Sequence, residues 1–172
     1  EPVLLNLGIA GHPTAALGTM GLADKIVDQD NGKCFYPQMP FTVPCATYPL
    51  MTRSKPETTY AVECLYDMEA SAFYELAVKF SSSELNHVIK VVSDNRQSPV
   101  AGINEDRVEA WITAQLSGLE TLLVNLKALR QSSAKAPSLP VYAQLLERHH
   151  FSVTHAMKLK NLLQRWQVLY PD

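Results

Sequence analysis

Short apolar runs that stop at glycine or at polar residues predict the strands of this chain. Residues 2–7 form one such run, and it ends at a glycine-rich turn of residues 8–11, as is typical of a buried strand. Residues 22–27 predict a second strand. Residues 86–92, rich in β-branched side chains, predict a third strand that stops at the polar residues 93–95. Because ligands in open α/β sheets bind at strand ends, these ends are candidate sites.

The segment between the second and third of these strands changes from turn-forming to helical. Residues 28–59 predict mostly loop, with short strands around 41–48, because Pro, Asn, Gly and Thr interrupt any periodicity. Residues 61–66 are weakly strand-like. Asp67 is a candidate N-cap, and the helix after it is expected to turn one apolar face toward the core. That face carries Phe73, Leu76, Ala77 and Phe80.

Helical periodicity dominates the remainder of the chain. Asn104 can begin a long helix whose apolar stripe continues to about residue 130 and implies packing on a sheet. Residues 131–140 are a linker by composition. Two shorter helical patterns follow at 141–149 and 153–169.

An α/β domain is the fold class that this alternation of strands and helices predicts. We expect residues 1–130 to form the core, with a mixed, mainly parallel sheet flanked by helices, and residues 131–172 to form a linker and a helical appendage. The 172 residues, 47% hydrophobic and 19% charged, are sufficient for one such core. The longest apolar runs are far shorter than the roughly 20 residues that cross a bilayer, so no membrane span is expected.

The charge balance argues against a polyanionic partner for the chain as a whole. Its net charge is only −2, from 15 Lys and Arg against 17 Asp and Glu, so a small neutral or weakly charged ligand is favoured over nucleic acid or anionic lipid. Residues 138–172 are locally basic, through Arg148, Lys158, Lys160 and Arg165, which leaves a helix-turn-helix as a minor alternative. An apolar stripe in the same segment favours packing on the core or on a second subunit instead. The stripe consists of Leu159, Leu162, Leu163, Trp166 and Leu169.

Cysteines and histidines give no metal or disulfide pattern. Cys34, Cys45 and Cys64 are odd in number and include no Cys-x-x-Cys pair. We expect them to be free thiols in a reducing cytoplasm, where most such residues are small buried hydrophobes. His150 and His155 are spaced so that they point to different faces of a helix, which is unsuited to a shared metal ion.

Three short segments carry candidate chemistry: Gly8 to Gly11, Met68 with Glu69, and Ser93 with Asp94. Each has an ordinary structural explanation, as a tight connection, a first-turn carboxylate and a turn cap. Each also has a functional one. A glycine turn lets the backbone approach a sugar, a carboxylate can accept hydrogen bonds from two vicinal ribose hydroxyls, and a carboxyl group at the end of a buried strand can donate a proton.

Taken together, the three segments resemble the purine nucleoside phosphorylase and nucleosidase family. The resemblance extends over residues 2–130 and is closest to the branch that includes methylthioadenosine/adenosylhomocysteine nucleosidase and futalosine hydrolase. The resemblance implies the α/β fold of that family and a homo-oligomer. It also implies cleavage of the N-glycosidic bond of a purine nucleoside by water or phosphate, without a metal or an organic cofactor. It is carried by residues 6–11 (Asn-Leu-Gly-Ile-Ala-Gly), 67–70 (Asp-Met-Glu-Ala) and 90–94 (Lys-Val-Val-Ser-Asp).

The resemblance also implies a role for each candidate residue. Glu69 would hold the ribose hydroxyls, and Met68 would pack on the sugar. Asp94 would assist protonation of purine N7, and Ser93 would orient its side chain. The floor of the sugar and base pocket would be formed by Gly8, Ile9, Ala10 and Gly11.

The chain departs from the family pattern at three places. It begins directly at the strand of residues 2–7, so we expect it to lack the family's N-terminal part, with a phosphate-facing loop and a water-activating acid, and to leave a core sheet edge unpaired. Ile9 stands where the nucleosidases often have serine, and the segment 51–67 is short for their base-stacking loop. The nucleobase and the nucleophile are therefore left open, and a non-catalytic member that binds a nucleoside or a protein is the alternative.

Overall fold

The computed structural model describes residues 1–133 and 139–169 and divides the chain into two compact units, Glu1–Ser133 and Ala134–Asp172. The strands are β1 (Leu4–Gly11), β2 (Met20–Asp28), β3 (Cys34–Phe35), β4 (Ala46–Thr52), β5 (Leu65–Asp67) and β6 (Asn86–Asp94). The helices are α1 (Ala70–Ala77), α2 (Glu105–Ala114), α3 (Leu116–Ser133), α4 (Pro140–Arg148) and α5 (Val153–Leu169), with short 3₁₀ turns at Ser83–Leu85 and Val100–Gly102.

The six strands form one mixed sheet in the order β3-β2-β4-β5-β1-β6, in which β6 also pairs with β2. Three pairings are parallel (β1 with β6, β2 with β4, β4 with β5), and three are antiparallel (β1 with β5, β2 with β3, β2 with β6). The α/β class with a mixed sheet is confirmed, and the two longest pairings, β1 with β6 and β2 with β4, are parallel.

Strand β2 closes five of the strands into a ring. Its edge opposite β4 pairs with β6 through Met20–Leu22 and with β3 through Ile26–Val27. Strand β6 therefore has a neighbour on both sides, and all nine of its residues are buried. The expected unpaired core edge at β6 does not occur, because one long strand serves two partners along the same edge.

Strand β1 runs further than the apolar pattern predicts. Residues 8–11 continue the strand in parallel register with β6, rather than forming a turn. Gly8 lies opposite Lys90, and a Cβ at Gly8 would lie 3.1 Å from the Lys90 Nζ atom. Gly8 thus leaves space for the long, buried side chain of Lys90. A glycine is needed here for this close approach and not for a turn.

Two further sequence predictions need correction. The expected helix of residues 104–130 is two helices that meet at Gln115, whose side-chain amide donates to the Gly18 carbonyl at 2.8 Å. Asn104 does cap the first of them, since its side chain accepts from the Arg107 backbone N–H at 3.0 Å. The segment predicted as mostly loop contains β4, at Ala46–Thr52.

Apolar clusters lie on both sides of the sheet. Helix α1 packs Ala70 and Tyr74 into the first cluster. Of its predicted apolar face, Ala77 is buried and Phe73 packs against this cluster, whereas Leu76 and Phe80 are exposed. Helix α3 packs its leucines against β2 and β6 in the second, which confirms that its stripe packs on the sheet. These leucines are Leu119, Leu122 and Leu126.

The second unit contains α4 and α5. Along α5, Leu159 and Leu163 are partly buried, whereas Leu162 and Trp166 are exposed. Residues 134–138 of the predicted linker, residues 170–172, and the side chains of Arg165 and Leu169 lie outside the described residues. None of the described helices is long and apolar enough to cross a lipid bilayer.

Candidate functional site

A pocket of about 230 Å³ opens where the parallel strands β1 and β6 end together. The loop after β4, the segment between β5 and α1, and the 3₁₀ turn after β6 complete its wall. Seven of the residues predicted from the sequence line it: Ile9, Ala10, Gly11, Met68, Glu69, Ser93 and Asp94. The structure therefore brings the two candidate carboxylates, Glu69 and Asp94, into one cleft. Gly8 lies instead beside the Lys90 side chain.

An irregularity in the pairing of β1 with β6 explains how Ser93 and Asp94 both reach this pocket. Ala10 pairs with Val92, but Gly11 pairs with Asp94, so Ser93 is an extra residue on β6. In a regular strand, successive side chains point to opposite faces. A bulge of one residue re-aims the chain and commonly does so next to functional sites.

The Asp94 carboxylate is held by a hydroxyl group on each oxygen. The Ser93 hydroxyl donates to Oδ1 at 2.6 Å, and the Tyr60 hydroxyl donates to Oδ2. Asp94 is only 5% exposed, so these donors replace the water that a carboxylate normally binds. Burial, and then the hydrogen bond and charge of Asp94, raise the pKa of Tyr60, so the phenol keeps its proton at ordinary pH.

A compact turn built around Glu57 positions Tyr60. One Glu57 oxygen accepts the backbone N–H groups of Thr58, Thr59 and Tyr60 at 2.9, 2.5 and 3.1 Å, and the other pairs with Arg53. Glu57 and Arg53 both line the pocket. Sequence reasoning missed all three of Arg53, Glu57 and Tyr60, because their segment had no periodicity and Tyr60 meets Asp94 from a distant part of the chain.

Asp67, which lines the pocket, forms a buried ion pair with Lys90. The Lys90 ammonium lies 2.8 Å from Asp67 Oδ2 and 4.0 Å from Glu69 Oε2. Asp67 also accepts from the Thr52 hydroxyl at 2.7 Å and, as its predicted capping role requires, from the Ala70 backbone N–H at 2.9 Å. The one sign of this ion pair in the sequence was Lys90, a charged residue between the apolar residues of a predicted strand.

The Glu69 side chain takes no part in capping the helix that follows it. Glu69 occupies the N-cap position of α1 but makes no capping hydrogen bond with its side chain, and the Ala70 N–H donates to Asp67. Its side chain is 69% exposed, and Met68 beside it is 46% exposed. Both are therefore accessible from the pocket that they line.

Among the residues that the structure describes, no group of three or more His, Cys, Asp and Glu side chains could hold a metal ion. The donors around the pocket are already paired with one another, as in Lys90 with Asp67 and Arg53 with Glu57. The arrangement presents one exposed carboxylate, Glu69, and one buried carboxyl group, Asp94, to the same space. Such a pair can accept hydrogen bonds from neighbouring hydroxyl groups and can donate or accept a proton.

Replacement of Gly11 by alanine is expected to lower the free energy of unfolding by about 1–3 kcal/mol. The added Cβ would lie 2.6 Å from Asp94 Oδ2 and 2.9 Å from the Tyr60 ring, so one of the two side chains must move. Urea denaturation of Gly11→Ala measures the loss. Gly102→Ala is the control, because its Cβ would meet only the flexible end of Arg107, at 3.4 Å. Equal stability of the two variants would contradict the tight packing at Gly11.

Comparison with known proteins places the fold. No protein-family model and no curated protein matches the sequence. Among solved structures, a 5′-methylthioadenosine/S-adenosyl homocysteine nucleosidase from Campylobacter jejuni aligns with a TM-score of 0.55 at 13% identity, over 73% of this chain and 69% of that chain. The corresponding nucleosidase from Colwellia psychrerythraea, solved with adenine, aligns with a TM-score of 0.51 at 15% identity, over 71% and 64%.

The likeness to these two structures shows a shared fold. This chain therefore has an α/β fold that nucleosidases also have, as the resemblance in the sequence implied. More narrowly, it has the fold of the methylthioadenosine/adenosylhomocysteine nucleosidases. The chain spans 63% of the length of one such structure, from Chlamydia trachomatis, with 15% identity, a TM-score of 0.46 and coverage of 75% of this chain.

Proposed function

We propose that this chain binds a purine nucleoside and cleaves its N-glycosidic bond. The observation that carries the proposal is the convergence of Glu69 and Asp94, from the start of α1 and the end of β6, on one pocket. The fold shared with nucleosidases supports it. The mixed surface of Met68 and Glu69 suits a sugar, which has both apolar and hydroxyl faces.

In the proposed reaction, Glu69 accepts hydrogen bonds from the two ribose hydroxyls, one on each oxygen. Asp94 transfers a proton to purine N7 while the bond between C1′ and N9 breaks, and the bonding electron pair leaves with the base. General acid catalysis of this kind contributes typically about 10²–10⁴-fold to the rate. Positive charge develops on the ribose at the same time, and the Glu69 carboxylate stabilises it.

The nucleophile that attacks C1′ is either water or phosphate. Water yields the free sugar and phosphate yields a sugar 1-phosphate, each with release of the base. In both cases the nucleophile loses one proton to the solvent, from which Asp94 regains the proton that it gave to the base. We favour water, because the resemblance in the sequence is closest to the nucleosidase branch. Phosphate would enter as a co-substrate, and no metal or organic cofactor is part of the proposal.

Release of free base from the 172-residue chain tests the proposed function. We expect base release from at least one of methylthioadenosine, adenosine and inosine, and no acceleration by added phosphate, as measured by chromatography of the products. Calorimetric titration with the same nucleosides measures binding separately. Binding without release would identify the alternative, a non-catalytic binder, and the absence of both would overturn the proposed function.

We further propose that residues 1–130 carry the activity and that residues 131–172 are an appendage, because every residue that lines the pocket lies between Ile9 and Ile103. A homo-oligomer and a cytoplasmic location also stay predictions. Light scattering of the purified chain measures the first, and the location of a tagged protein in cells tests the second.

A further inference from the structure

Tyr60 lies behind the residues that line the pocket and contacts the Asp94 carboxylate directly. It is 3% exposed and lies outside the lining residues, yet its hydroxyl donates to Asp94 Oδ2. We propose that Tyr60 is a positioning residue that fixes Asp94 by its Oδ2 atom and thereby reserves Oδ1 for the proton that is transferred to the base. This inference rests on the proposed function of Asp94.

The backbone N–H, the carbonyl and the ring of Tyr60 each have a fixed partner. Its backbone N–H donates to Glu57 at 3.1 Å, its carbonyl accepts from the Arg96 guanidinium at 2.5 Å, and its ring packs edge-on against Tyr66 with the centroids 5.9 Å apart. Its φ angle is +47°, the left-handed region that tyrosine rarely adopts. Residues with such backbone angles persist where their surroundings fix them, and they cluster at functional sites.

The two oxygens of Asp94 have different partners, and this difference assigns the proton. The Tyr60 phenol keeps its proton, and among the described residues Asp94 Oδ2 is the acceptor for that proton, so Oδ2 accepts in either charge state of Asp94. The proton of a neutral Asp94 therefore resides on Oδ1. The Ser93 hydroxyl lies 2.6 Å from Oδ1 and 3.4 Å from the Ala10 carbonyl oxygen, so it can turn toward Ala10 while Oδ1 carries the proton.

The proton balance of the step is then complete. The proton moves from Oδ1 to purine N7, the carboxyl group becomes a carboxylate, and the Ser93 hydroxyl turns back to donate to Oδ1. Tyr60 donates to Oδ2 throughout and keeps its own proton. The other charged groups on or beside the pocket, which stay unchanged when Tyr60 is altered, are Arg53, Glu57, Asp67, Glu69, Lys90 and Arg96.

Tyr60→Phe in the full chain tests this role, because it removes the hydroxyl and keeps the ring. We expect kcat for base release to fall by about 10- to 100-fold, with KM changed less than about threefold. A merely structural role would raise KM to a similar extent, because a disturbed pocket also loses affinity for the nucleoside. Tyr74→Phe is the control. It removes another buried hydroxyl, bonded to Ser83 at 3.1 Å and remote from the pocket, and should leave both quantities unchanged.

The possible results separate the role of Tyr60 from the proposed function of the chain. A fall in kcat accompanied by an equal rise in KM would assign Tyr60 a merely structural role and overturn the inference, as would unchanged kinetics in an active parent chain. A parent chain that releases no base from any of the three nucleosides would overturn the proposed function, and this inference with it.

Discussion

The asparagine variant of Asp94 should release base about 10²- to 10⁴-fold more slowly than the parent chain, the largest kinetic effect that we expect in this pocket. An amide has nearly the shape of the carboxyl group but no acidic proton to give to purine N7. It keeps one oxygen as an acceptor for Tyr60 or Ser93, so the local packing is preserved. Initial rates of base release measure kcat, and calorimetric titration measures nucleoside affinity, which should change less than about threefold if ribose binding depends on Glu69.

The matched control for this variant is Asp30→Asn. Asp30 lies on the exposed turn after β2, and its replacement makes the same change of charge without touching the pocket. We expect Asp30→Asn to keep the parent rate. An Asp94→Asn protein with the turnover of the parent would show that Asp94 is not the acid, whichever nucleoside is cleaved.

Removal of the Lys90 ammonium has the largest expected effect on stability. Lys90→Met should lower the free energy of unfolding by about 3–5 kcal/mol, the usual cost of leaving one member of a buried ion pair uncompensated. The side chains of Lys90 and Asp67 are 2% and 0% exposed, so water cannot take over the role of the ammonium. Asp67 would keep only two neutral donors, the Thr52 hydroxyl and the Ala70 N–H. Urea denaturation measures the loss.

Lys33→Met supplies the comparison for Lys90→Met. The Lys33 ammonium pairs with Glu75 at 2.6 Å, but the two side chains are 51% and 42% exposed. The same substitution there should cost within about 1 kcal/mol, because water screens the pair and solvates the remaining carboxylate. Adding Asp67→Asn to Lys90→Met should recover part of the loss by removing the stranded charge. Equal stabilities of the Lys33 and Lys90 variants would contradict a structural role for the buried pair.

Local patterns predicted the strands near the pocket and the polar residues at their ends. The apolar run before Ser93 and Asp94 is a fully buried strand, and the segment at Asp67 begins a helix as expected. The pattern misjudged Gly8 and Gly11. Glycine after an apolar run predicts a turn, whereas here the strand continues and the missing side chains make room for Lys90 and for the contact of Tyr60 with Asp94.

The ring of strands and the turn at Glu57 could not be derived from local patterns. Strands β3 and β6, which are distant from each other in the chain, pair with the same edge of β2. The hydrophobic periodicity of a strand does not indicate which strands will pair with it. Glu57 and Arg53 lie in a segment of mixed polar residues that looks like an ordinary loop. Their mutual pairing and their bonds to the Tyr60 backbone become visible only when the loop has folded over the strand ends.

The order of residues along the chain by itself determined the class of fold and identified Glu69 and Asp94 as candidate carboxylates of the pocket, because strand ends and helix starts are set by interactions between near neighbours. The tertiary structure alone decided that the sheet closes through β2, that a bulge turns Ser93 and Asp94 toward the same cleft, and that Tyr60 holds one Asp94 oxygen. These contacts join residues far apart in the chain. Their geometry follows from the packing of the whole sheet, which is why no local pattern contains it.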